Sequence, residues 1–107
     1  MTKIKWNRIK EIIKEITGYK EVEILLSTEV DDDYRASVVY QPNKKVATIV
    51  LNSLYNKNEK HVIESIAHET AHILTHTQGD FHPPKFYKMY KEIKNTLIKE
   101  CRDKEER

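Results

Sequence analysis

Between Glu59 and Thr77 the apolar residues Val62, Ile63, Ile66, Ala67, Ala71, Ile73 and Leu74 recur at helical spacing. They form a stripe too wide for a surface helix, so this segment must bury one face in a core. A chain of 107 residues has room for one such core. We therefore expect one domain, residues 1–107, built around this helix. Asn58 is placed to cap its start and Gly79 to end it.

Two more segments share the period. Ile4, Trp6, Ile9, Ile12, Ile13 and Ile16 predict an amphipathic N-terminal helix, with Thr2 as cap and Gly18 as its terminator. Pro83-Pro84 breaks the chain and opens a last helix from about Pro84 to Cys101. Its apolar side carries Phe86, Tyr87, Met89, Tyr90, Ile93, Leu97 and Ile98. Three β-branched runs lie between the first and second helices: Val22–Thr28, Ala36–Gln41 and Val46–Asn52. Their short connections predict antiparallel hairpins. The expectation is an α+β fold: an N-terminal helix, a mainly antiparallel three-stranded sheet, then two helices.

Charge excludes more than it suggests. The net charge is +2 with basic and acidic residues interleaved, so no phosphate-binding face and no nucleic-acid partner is expected. No apolar run approaches the ~20 residues of a membrane span, and no apolar signal core follows the basic N-terminus. The lone Cys101 cannot form an intrachain disulfide, and a reducing, cytoplasmic setting follows. Asp31-Asp32-Asp33 reads as a turn, because the glycine of a calcium loop is missing.

The chemistry lies in His68-Glu69-Thr70-Ala71-His72. Histidines four apart on a helix project from nearly one face, and two imidazoles on adjacent turns can share a zinc ion at ~2.0–2.1 Å. Glu69, about 100° around the helix from His68, can reach a water beside the metal rather than the metal itself. A catalytic zinc needs a third protein ligand. His82, just past the helix end, can be turned back toward the pair. Glu92 or Glu100 of the last helix is the alternative. His76 is the rival, but eight residues of straight helix separate it from His68 by ~12 Å, so it reads as a surface residue or one that supports a ligand. His61 reads as a first-turn or surface residue. Tyr87 and Tyr90 follow His82 closely enough to be oxyanion donors, although aromatics on such a helix are usually core.

The stretch Ile66-Ala67-His68-Glu69-Thr70-Ala71-His72, followed by His82-Pro83-Pro84-Lys85-Phe86, resembles the SprT-like zincin metallopeptidases. The resemblance covers roughly Val46 to Tyr90. It implies a minimal zincin fold, a peptidase acting on a protein or peptide substrate, zinc on His68, His72 and His82, and Glu69 as general base. Small gene-regulating zincins share the paired-histidine motif but use a carboxylate as third ligand. Some family members also carry a cysteine-rich zinc module, which the single Cys101 cannot supply. An extended substrate is expected along the Val46–Asn52 strand, with a non-catalytic zinc-binding, partner-binding or inhibitory module as the alternative to an enzyme.

Overall fold

A computed structural model of the protein describes residues 4–28, 34–78 and 81–102. The elements run α1 (Trp6–Thr17), β1 (Glu21–Ser27), β2 (Ala36–Gln41), β3 (Val46–Asn52), α2 (Glu59–Thr75) and α3 (Pro84–Arg102). The α+β arrangement is the expected one. The triple aspartate, Thr2 and Gly79 lie outside the described residues.

α1 buries Ile9, Ile12 and Ile13 and stops at Gly18, whose φ is 75°. Its N–H donates to the Lys14 carbonyl at 2.8 Å. That left-handed conformation suits glycine because a Cβ would crowd only the carbonyl that follows it, the space around being open.

The sheet departs from the expected pair of hairpins. Its order is β1-β3-β2. β2 and β3 do form an antiparallel hairpin, with Val38 opposite Ile49. β1, however, pairs with β3 in parallel, with Val22 opposite Ala47. The reason lies in the residues of β3, Val-Ala-Thr-Ile-Val-Leu-Asn. Ala47, Ile49, Leu51 and Asn52 are buried, whereas β1 buries only Val22 and β2 buries none fully. The most apolar strand takes the centre, where both of its edges are paired.

α1 packs on β1, α2 packs on β2 and β3, and α3 packs on α2. The core runs from Ile9 and Ile13 through Val22, Ile49 and Leu51 to Ile66, Ala67, Phe86 and Leu97. Each large aliphatic chain buried there contributes roughly 1.5–3 kcal/mol before entropy is counted. No helix among the described residues is long and apolar enough to cross a membrane.

α2 begins as expected, with the Asn58 side chain accepting the His61 N–H at 2.9 Å. It ends earlier than the apolar pattern predicts, at Thr75, and His76 takes the left-handed position with φ 54°. The Thr77 N–H donates to the His72 carbonyl at 3.0 Å and the His76 N–H to that of Ile73 at 3.3 Å. This is the bond pattern of a Schellman motif. The turn therefore falls on His76, without a glycine, and sends the chain back toward α3.

Candidate metal centre

α2 carries His68 and His72 on successive turns, and the reversal after His76 returns His82 to them. The ligating nitrogens of His68, His72 and His82 all lie within 4.8 Å of one another. The Nε2 atoms of His68 and His82 are 3.2 Å apart. Two nitrogens sharing a tetrahedral ion at ~2.0–2.1 Å would sit about 3.3–3.4 Å apart, so this pair needs little adjustment. Phe86 forms the floor. Its ring centroid is 4.9 Å from that of His68 and 4.6 Å from those of His72 and His82.

The electrostatics suit a cation. Burial, then the nearness of His72 and His82, pushes the His68 imidazole down to about 4. Burial, then His82, also lowers His72. Neutral imidazoles are the ligand form. Glu69 is only 6% exposed, and burial pushes its carboxyl up to about 7. A buried carboxyl beside a cluster of three imidazoles is a place where a divalent ion would supply the missing positive charge.

The other candidates lie elsewhere. His76 is exposed at the turn, and His61 sits part-buried in the first turn of α2. Glu92 is exposed on α3. Glu100 pairs with Arg8 of α1. Tyr87 is 59% exposed, although its ring centroid lies 6.0 Å from that of His82. Tyr90 is 6.1 Å from His68, centroid to centroid, and lines the neighbouring cavity.

Two hollows flank the histidines. One, of about 190 Å³, is lined by Tyr34, Arg35, Glu64, Ser65, His68, Glu69 and Tyr90 among others. The second, of about 330 Å³, lies between β2 residues Ser37 and Val38 and the three histidines. Both are lined by His68 and Glu69. The strand beside the site is thus β2, not β3: β3 is central and has no free edge. The Asn52 N–H donates to the Arg35 carbonyl at 2.9 Å. By antiparallel alternation the backbone groups of Ser37 and Val39 also face β3, and those of Ala36, Val38 and Tyr40 face the outer edge, which no strand among the described residues pairs.

The model of the SprT-like family matches residues 3–105. The chain belongs to that family. The match extends well beyond the Val46–Tyr90 stretch that carries the resemblance in the sequence. No curated protein and no solved structure matches the chain. In this SprT-like protein a buried polar network supports the site. Asn52 Nδ2 donates to the Tyr34 carbonyl at 3.0 Å. Asn56 Nδ2 donates to the Arg35 carbonyl at 2.9 Å. The Ser65 hydroxyl, one turn before His68, donates to Asn56 Oδ1 at 2.6 Å. The start of β2 is thereby tied to α2. His72 Nδ1 lies 2.9 Å from the Thr77 hydroxyl, and the Tyr40 hydroxyl donates to the Thr77 carbonyl at 3.1 Å. The sequence marks none of these roles. Asparagine and threonine are ordinary at turns and helix ends, and only the fold shows which of them face a ligand-bearing helix.

Proposed function

We propose that the protein is a zinc-dependent metallopeptidase, with zinc on His68, His72 and His82 and Glu69 as general base. The observation that carries this reading is the placement of Glu69. It follows a ligand on the same helix, is buried, and lines both hollows that meet at the histidines. A purely structural site has no use for a carboxyl there.

Zinc held by these three histidines would supply Lewis acidity toward the scissile carbonyl and an activated water at neutral pH. Glu69 takes the proton from the attacking water and delivers it to the nitrogen of the leaving amine. An extended polypeptide pairs with the free edge of β2 through the outward backbone groups of Ala36, Val38 and Tyr40. Tyr90, at the wall of the smaller hollow, is the better placed of the two tyrosines to donate to the oxyanion. The reading puts the protein in the cytoplasm, acting on a protein or peptide substrate.

The test is zinc content by elemental analysis together with cleavage of an unfolded protein, for native and Glu69→Gln chains. One zinc per chain in both, with cleavage by the native chain only, is expected. Zinc in both and cleavage by neither moves the protein to the non-catalytic reading.

A further inference from the structure

We propose that Thr77 is a positioning residue: it holds the His72 imidazole as the tautomer that carries its proton on Nδ1, leaving the Nε2 lone pair free for the metal. The inference rests on the reading that the three histidines hold a metal ion, and it concerns how one of them is made ready.

The Thr75 hydroxyl donates to the Ala71 carbonyl at 2.8 Å. Its one hydrogen is then spent. The contact of 2.8 Å between the Thr75 and Thr77 hydroxyls therefore has Thr77 as donor. That spends the Thr77 hydrogen in turn. The contact of 2.9 Å between Thr77 Oγ1 and His72 Nδ1 can then be a hydrogen bond only if the ring donates. The chain reads His72 Nδ1–H to Thr77, Thr77 to Thr75, and Thr75 to the Ala71 carbonyl. The reverse order, with Thr77 donating to the ring, gives up the bond to Ala71 and has one hydrogen bond fewer.

Thr77 is well held for this task. It is 8% exposed. Its N–H donates to the His72 carbonyl at 3.0 Å, and its carbonyl accepts the Tyr40 hydroxyl at 3.1 Å. The hydroxyl thus sits on backbone fixed from two sides, by the metal helix and by β2. A partner on the non-ligating nitrogen both fixes the tautomer and orients the ring of a metal-binding histidine.

The experiment uses the full chain with ¹⁵N-labelled histidine. Ring nitrogen shifts are recorded without metal, and cobalt(II) affinity is measured by competition with a chelator. In the native chain the His72 proton is expected on Nδ1. Thr77→Val keeps the shape and removes the hydroxyl; the Nε2–H form should appear and cobalt affinity should fall ~10–100-fold. Thr77→Ser should restore both. Thr75→Val touches no ligand ring but frees the Thr77 hydrogen, so it should also admit the Nε2–H form, an effect that a purely packing role for these residues would not produce. A native proton on Nε2, or Thr77→Val binding cobalt as tightly as the native chain, overturns the proposal. No readout uses cleavage. A chain that binds cobalt and cleaves nothing sinks the metallopeptidase reading alone, whereas a native chain that takes up no cobalt sinks both.

Discussion

His82 Nε2 lies 3.2 Å from His68 Nε2, with the whole reversal after α2 between them in sequence. His76, only four residues after His72, is exposed and outside the cluster. The two histidines therefore predict opposite outcomes. His82→Ala should weaken zinc binding by more than ~100-fold, beyond the loss typical of a partner that touches only a ligand. His76→Ala should leave affinity nearly unchanged. Chelator competition on the two variants checks the ranking, and the reverse order would remove His82 from the ligand set.

Glu69→Gln preserves size and removes the base. Turnover should fall by at least ~10²–10⁴-fold while zinc stays bound. The carboxyl is buried to 6% exposure. Taking a charge out of that environment should not lower the melting temperature of the metal-free chain. A variant that cleaves at the native rate would show that another group moves the proton.

Much of this was legible in the sequence, because helical period and ligand spacing are local properties. Ala36–Gln41 and Val46–Asn52 are strands at the expected bounds, and the histidines four apart do meet His82. What escaped was non-local. Strand order depends on which run is apolar enough to sit in the middle, a comparison between strands that hairpin reasoning does not make. The end of α2 escaped because His76 takes a positive φ that a glycine was expected to supply. The Schellman bonds and the Thr77 contact to His72 hold it there, and no residue pattern announces that combination.

The open edge of β2 yields a paired test. The Val38 N–H faces away from β3, so Val38→Pro removes a donor that the sheet does not use. Val38 also packs against the core, so stability should fall only by part of that contact, and kcat/KM on an extended substrate should fall by up to roughly tenfold, the worth of one hydrogen bond. Val39→Pro removes a ladder donor opposite Thr48 and should disrupt the sheet. Equal damage to stability from both substitutions would refute the assigned edge.

Asn56→Ala deletes the link between Ser65 and the Arg35 carbonyl. Ser65 is 5% exposed, so its hydroxyl loses its acceptor in a place water reaches poorly. Denaturant unfolding should show a loss of about 1–3 kcal/mol. Ser65→Ala on top of Asn56→Ala should cost less than it does alone, because the partner is already gone. Strictly additive losses would mean that the two side chains act separately.

The parallel pairing of β1 with β3 also orders assembly in time. β2 and β3 are joined by a tight turn from Pro42 to Lys45 and can pair as soon as both leave the ribosome. β1, though made first, finds its partner only when Val46 and the residues after it have emerged. Until then its apolar residues and those of α1 have no sheet to join, and the N-terminal quarter of the chain waits on its middle.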